Sequence, residues 1–247
     1  MRRFFVEEIG SETRSLALRG TEANHIRRVL RMTPGDSLLL TDSKGARWAA
    51  VIASVNRREV WVNLEKPLPS LLPSPVEITL CQALLRSHSM DLLIQKTSEL
   101  GVDRVVPFVS ERSVVKLDKR ASANKLRHWR EIALSSTNQS GRVRPAEIGP
   151  FLVFSELMDR WKGDEIMRII LWEGESVENL KSQLRSTTPP RKGVGIVGPE
   201  GGFSDQEIEQ ARKAGFVPTS LGQRILRAET AGIALVALLQ YEWGDLG

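Results

Sequence analysis

A chain of 247 residues with 41% hydrophobic and 26% charged residues is far from a disordered composition, and its length suits two modest domains better than one. The longest apolar run, residues 233–239, is much shorter than the roughly 18–20 residues that cross a bilayer, and Glu7 and Glu8 interrupt the Arg2-Arg3 start before a signal-peptide core forms. The expected setting is therefore cytoplasmic with no membrane partner, and the single Cys81, inside the apolar run Ile78-Thr79-Leu80-Cys81, reads as a buried structural thiol. Of the net charge of +5, +4 falls at the front, where residues 1–70 hold 12 Lys/Arg against 8 Asp/Glu. A polyanion partner and an ordinary solvated surface both fit that excess.

Taken in chain order, the first predicted element is a helix over 21–31, with Thr21 as N-cap and Ile26, Val29 and Leu30 on one face. Short β-type runs come next at 37–41, 48–55 and 59–64, separated by Thr33-Pro34-Gly35-Asp36 and Asp42-Ser43-Lys44-Gly45, which predicts a small β-barrel. Residues 65–75 contain four prolines, which fix φ and remove donors, so this stretch reads as a linker and not as a central strand or helix interior. The predicted division is a first domain over 1–70, the end of the linker over 71–75, and a second domain over 76–247.

Beyond the linker, apolar runs alternate with amphipathic stretches, the pattern of a largely parallel sheet wrapped by helices in an α/β domain. Strands are predicted at 76–80, 104–108, 168–172, 194–197 and 217–221. Helices are predicted to begin near Ser89, Ser122, Phe154, Val177 and Asp205, with a last one over 228–242. Met90, Leu93, Ile94, Thr97 and Leu100 recur at helical spacing before Gly101, a stripe that reads as core packing. A second basic concentration runs through Arg112, Lys116, Lys119, Arg120, Lys125, Arg127, Arg130, Arg142 and Arg144, offset within it only by Asp118 and Glu131. His25, His88 and His128 have no partner ligand at metal-binding spacing, so no metal is expected.

The run from Gly193 to Ser204 begins with a literal G-x-G-x-x-G, but Pro189-Pro190 precedes it, Pro199 comes directly after it, and no acidic residue lies in 218–222 to hold a ribose. The match is therefore no sign of NAD. Gly193-Val194-Gly195-Ile196-Val197 reads instead as the strand, with Gly198-Pro199-Glu200-Gly201-Gly202 as a tight loop at its carboxyl end and Ser204 and Glu207 as a capping box that opens a helix. A plain turn and a ligand loop both fit that stretch. A second such run, Leu221-Gly222-Gln223-Arg224-Ile225-Leu226-Arg227-Ala228-Glu229-Thr230-Ala231, again places a glycine between a strand and a helix. Its Leu221, Ile225 and Leu226 offer an apolar floor that suits an adenine ring better than a polyphosphate.

These two runs, with Lys96-Thr97-Ser98-Glu99-Leu100-Gly101-Val102, Ser110-Glu111-Arg112-Ser113-Val114 and Asn138-Gln139-Ser140, carry a resemblance. The chain resembles the RsmE-type 16S ribosomal RNA uridine N3-methyltransferases of the SPOUT superfamily over almost its whole length. At the front, Arg3-Phe4-Phe5, His25-Ile26-Arg27-Arg28-Val29-Leu30-Arg31-Met32 and Gly35-Asp36 look like that family's PUA-like RNA-binding barrel. Ser136-Thr137 stands where the family often has an acidic residue. The resemblance implies a SPOUT-type α/β domain with a deep trefoil knot, an exception to the no-knot rule, and a homodimer. It implies S-adenosyl-L-methionine bound in the knot, lined by Leu171, Gly198, Pro199, Glu200, Gly201, Leu221, Gly222, Ile225, Leu226, Thr230 and Ala231.

Methylation at N3 of a uridine in the small-subunit ribosomal RNA requires loss of an imino proton while charge spreads onto the ring carbonyls. On that chemistry Arg227 is the candidate cation and Glu229 the candidate base or orienter, although Glu229 equally suits a plain place at a helix start. Arg2, Arg3, Arg27, Arg28, Arg31, Arg112 and Arg142 are the candidate RNA contacts, positioning the chain on phosphates without reading sequence. Two other readings share the glycine loops: a related enzyme acting on transfer RNA or a ribose 2′-hydroxyl, and an RNA-binding module without catalysis.

Overall fold

The computed structural model describes residues 2–10, 12–70, 72–113, 119–161, 165–174, 178–186 and 188–246, and it divides into two compact units. One is Met1–Pro73 with Leu134–Pro145, the other Ser74–Ala133 with Ala146–Gly247. The helix start expected at Val177 lies outside the described residues, as do Leu71, Val114, Lys116 and Asp118.

The first unit contains β1 (Arg2–Val6), β2 (Ser15–Arg19), α1 (Gly20–Asn24), β3 (Ser37–Asp42), β4 (Arg47–Val55) and β5 (Glu59–Leu68). Its strands pair in the order β1-β3-β4-β5-β2, with β1 parallel to β3 and the other pairs antiparallel. Alternation sets the core: Val60 and Val62 of β5 point inward with Phe4, Leu38, Leu40 and Ile52, while Trp61 and Asn63 point out. Register shifts at Ala49/Ala50 and Ile52/Ser54 bend the β4–β5 ladder. The β3–β4 turn hangs on the buried carboxylate of Asp42, which accepts from the backbone N–H of Ile9 at 3.2 Å and of Lys44 and Ala46 at 2.9 Å.

Two expectations are corrected here. The helix expected over 21–31 is only α1 and then a π-helical turn over His25–Val29, in which Leu30 N–H bonds His25 C=O at 2.9 Å. Thr21 is not the N-cap; Arg19 holds that place without a side-chain bond. The wider turn separates Ile26, which is fully buried, from Val29, which is 69% exposed, so these two do not share a face. The run ends at Arg31 with φ 51°, a left-handed backbone rare for a residue with a Cβ. The second correction concerns the prolines: β5 continues through Pro67 to Leu68. Beyond Asn63 it pairs only with β4, and such an edge tolerates a missing N–H.

The second unit contains β6 (Glu77–Ala83), α2 (Ser87–Glu99), β7 (Arg104–Val109), α3 (Lys119–Ser140), whose last residues are counted with the first unit, β8 (Glu147–Ile148), β9 (Leu152–Val153) and α4 (Phe154–Arg160). It continues through β10 (Ile166–Leu171), β11 (Glu178–Asn179), α5 (Leu180–Ser186), β12 (Lys192–Val197), α6 (Asp205–Lys213), β13 (Val217–Ser220) and α7 (Ala228–Trp243). Every described pairing is parallel, in the order β11-β13-β10-β12-β6-β7-β8, with β9 also on β7. After β12 is laid on one side of β10, the chain returns through α6 to place β13 on the other side.

The sheet is buried on both faces, as a parallel sheet requires. Ile78, Leu80 and Val105 meet α2, α3 and α7 through Leu93, Ile94, Trp129, Leu235 and Leu239, and on the opposite face Cys81, Val106, Ile170, Val194 and Ile196 meet Phe154, Ile208 and Phe216. Burial of a side chain of this size contributes roughly 1.5–3 kcal/mol. Gly193 and Gly195 of β12 lie on the α7 face: a Cβ on Gly195 would fall 2.4 Å from Leu235 Cδ2, and one on Gly193 3.9 Å from Leu239 Cδ1. Gly195 therefore makes room for Leu235 of α7, whereas a side chain at Gly193 would meet Leu239 at ordinary contact distance. Among the described residues no helix is long and apolar enough to cross a membrane, and no cluster of His, Cys, Asp or Glu is arranged to hold a metal.

Candidate functional site

The carboxyl ends of the parallel strands all open on one edge of the sheet, where ligands bind in folds of this kind. The loop after β12 is tied down at its start by Gln82, fully buried at the end of β6, whose Nε2 donates to Gly198 C=O at 3.2 Å and Val197 C=O at 3.4 Å. It turns at Gly202 (φ 69°), whose N–H bonds Pro199 C=O at 3.0 Å. Phe203 anchors the far end, stacked on Phe108 and tilted against Phe154, and a Cβ on Gly198 would come 3.0 Å from that ring. Ser204 then caps α6, accepting from Glu207 N–H while the Glu207 carboxylate accepts from Ser204 N–H.

That carboxylate does more than cap. Buried at 5% exposure, Glu207 also accepts from Ser110 Oγ at 3.1 Å and Glu111 N–H at 3.0 Å, so it fixes the loop after β7 to the loop after β12. Arg112, on the fixed loop, donates to Gly201 C=O at 3.3 Å. After β13 the chain turns at Gly222 (φ 117°), a conformation that a residue with a Cβ adopts only under strain, and runs to Arg227, the N-cap of α7. The loop after β10 is joined to the end of β13, just before the second glycine loop, through Trp172 N–H, which bonds Thr219 C=O at 3.1 Å.

Together these loops enclose a cavity of about 1140 Å³. Of the residues expected at a cofactor, Leu171, Gly198, Pro199, Glu200, Leu221, Gly222, Ile225, Leu226 and Ala231 line it; Gly201 and Thr230 do not. Arg227 and Glu229 both line it, as does Arg112. Ile225 is 82% exposed, an aliphatic side chain on the cavity wall that an apolar ligand would cover. The cavity also takes in Arg86, Ser89, Trp172, Glu173 and Arg224, which sequence reasoning passed over. Glycines drew attention to two loops, whereas the loops after β6 and β10 carry none at the cavity. The signal that could have found them is the carboxyl end of every parallel strand, with or without a glycine.

The remaining expected RNA contacts belong to the first unit. Arg2 and Arg28 are exposed, Arg31 stands on the strained backbone that ends the π-turn, and Arg142 lies in the Leu134–Pro145 segment. Two are partly engaged within the fold: Arg3 donates to Ser140 C=O at 3.3 Å, and Arg27 donates to the carbonyls of Asn56 and Arg57 in the β4–β5 turn. His25 packs edge-on against Phe4, with ring centroids 6.1 Å apart.

Comparison with known proteins gives a consistent pattern. An RNA methyltransferase domain model matches residues 72–240, and an RNA methyltransferase PUA domain model matches residues 18–65. The chain is 29% identical to ribosomal RNA small subunit methyltransferase E of Bacillus subtilis over 98% of its own length and 97% of that protein's. It is 31% identical to the protein of the same name from Mesomycoplasma hyopneumoniae, over 96% and 97%. Among solved structures it is similar to a ribosomal RNA small subunit methyltransferase E from Neisseria gonorrhoeae bound to S-adenosyl methionine, with TM-score 0.88 and 33% identity over the full length of both chains.

Proposed function

Because the chain belongs to the ribosomal RNA small subunit methyltransferase E family, we propose that it methylates N3 of one uridine in the 16S ribosomal RNA of the small subunit, using S-adenosylmethionine. The observation that carries this reading is the meeting of two glycine loops in one cavity with an apolar wall and open backbone. Leu221, Ile225, Leu226 and Ala231 suit an adenine ring, and Gly198 and Gly222 let a ligand approach the main chain closely. Among the described residues no polyphosphate-binding lysine lines the cavity. We assign residues 76–247 to methyl transfer and residues 1–70 to RNA binding, with the exposed Arg2, Arg28 and Arg31 on phosphates. The insertion of β13 beside β10 after β12 supports a trefoil knot at the cavity. A homodimer is supported by Leu238 (42% exposed) and Tyr241 (65%) on α7 with Leu92 (37%) on α2, apolar surface that a second copy would cover. The expected compartment is the cytoplasm, where the substrate is made.

S-adenosylmethionine supplies a methyl group already activated by its sulfonium. The residues of this chain then have three tasks. The walls would hold the uracil ring close to the donor, and such positioning by itself removes much of the barrier. Arg227 at the head of α7 donates to the carbonyl oxygen on which charge develops as N3 gives up its proton. Glu229, two residues on and also on the cavity wall, accepts that proton or orients the ring.

The test is methyl transfer from labelled S-adenosylmethionine to small ribosomal subunits lacking the modification, with nucleoside analysis of the product. N3-methyluridine at a single site is expected. A ribose-methylated product, or transfer to transfer RNA alone, overturns the substrate, and cofactor binding without transfer to any RNA leaves a binding module.

A further inference from the structure

We propose that Arg86, with Ser89 and Arg112, forms a subsite for an RNA phosphate beside the nucleotide that is methylated, an inference that rests on the methyltransferase reading above. The cavity, at about 1140 Å³, exceeds the roughly 300–1,000 Å³ of ordinary small-molecule sites, so it has room beyond one cofactor. The strand order decides what fills each end. Loops after β13, β10 and β12 supply the apolar and glycine walls, whereas β6 and β7, the next strands in the sheet, supply Arg86, Ser89 and Arg112.

Charge balance differs along the same line. The walls from the loops after β10, β12 and β13 and from α7 carry Glu173, Glu200 and Glu229 against Arg224 and Arg227, whereas the loops after β6 and β7 and the first turn of α2 bring only Arg86, Arg112 and the Ser89 hydroxyl. Arg112 stands on a backbone held by Glu207 and is steadied by its bond to Gly201 C=O. Arg86 is exposed, and among the described residues no side-chain hydrogen bond or ion pair engages its guanidinium. It is the N-cap residue of α2, whose helix dipole adds potential of the same sign. Two guanidinium groups and a hydroxyl on the wall of one cavity are donors of the kind from which phosphate oxygens accept. A uridine whose N3 is to be reached must leave its pair and stack, and its flanking phosphates enter with it.

The test is fluorescence anisotropy of a labelled single-stranded RNA oligonucleotide carrying one uridine, titrated with the full chain and S-adenosylmethionine at several salt concentrations. Arg86→Ala is expected to bind about tenfold more weakly, with a salt slope shallower by about 0.7 for one lost single-strand contact, while calorimetry gives unchanged S-adenosylmethionine affinity. Arg86→Lys is expected to restore the slope but only part of the affinity, because an ammonium replaces the charge and not the fork. Unchanged affinity and slope in Arg86→Ala overturn the subsite, as does loss of S-adenosylmethionine binding, which would make Arg86 a cofactor residue. A wild-type chain that fails to bind the oligonucleotide overturns it too. Arg86-dependent binding without methyl transfer to any RNA supports the subsite and overturns the methyltransferase reading instead.

Discussion

Glu22 is a carboxylate buried in a basic unit, bonded by Asn138 Nδ2 at 2.9 Å through one oxygen while the other has no hydrogen-bond partner among the described residues. Burial raises its pKa above the ordinary value of 4.5, against the smaller opposite effect of Asn138. A raised carboxylate pKa favours the fold fully below the unfolded value, and that contribution is lost as pH rises through the folded value. Glu22→Gln, which keeps an acceptor for Asn138 without the charge, is therefore expected to raise thermal stability at pH 7 and to lose that advantage near pH 4. A variant less stable than wild type at pH 7 would show that the charge itself is needed. Burial likewise pushes the Cys81 thiol up to about 12, so the native chain should resist alkylation by a thiol reagent that labels it fully once denatured. At the cavity, Arg227→Ala is expected to lower kcat by about 10²–10³ with cofactor affinity kept, read by single-turnover transfer; unchanged turnover removes Arg227 from the chemistry.

At the scale of elements, Glu207 carries the loops. Glu207→Ala leaves Ser110 Oγ and the N–H groups of Glu111 and Ser204 without their acceptor, and is expected to cost about 3 kcal/mol in urea unfolding. A loss under about 1 kcal/mol would mean that water replaces it readily. The longer strands of the second unit, β6, β7, β10, β12 and β13, were legible because buried parallel strands are apolar runs, and α6 because Ser204 and Glu207 spell its cap, whereas the two-residue β8, β9 and β11 are too short to leave such a run. Other elements were not. β1 and β2 carry arginines at their ends and gain strand character only from partners 35 or more residues away, Phe4 from Leu40 and Ala17 from Trp61. The π-turn uses residues that would serve an α-helix equally well, and wider bonding such as that of Leu30 N–H to His25 C=O separates the two. The glycines of β12 were legible as a strand, but that Gly195 makes room for Leu235 needed the position of α7.

At the scale of the whole molecule, function was legible where the chemistry is written in special residues and hidden where position alone makes it. Gly198, Gly222 and the apolar residues after β13 announced a pocket; Arg86 and Trp172 joined it only because the sheet order brings the ends of β6 and β10 to the same edge. Methyl transfer by this chain requires that the cavity hold the methyl donor. Ile225 tests it most directly, because a side chain 82% exposed contributes little to folding, so replacing it alters the cavity wall without disturbing the core. Calorimetric titration of the wild type and Ile225→Asp with S-adenosylmethionine is therefore the measurement to make. The expected result is at least about tenfold weaker binding in a variant that melts like the wild type, from the lost apolar contact and an uncompensated carboxylate beside the ring. Equal affinity in the two proteins would place the donor elsewhere.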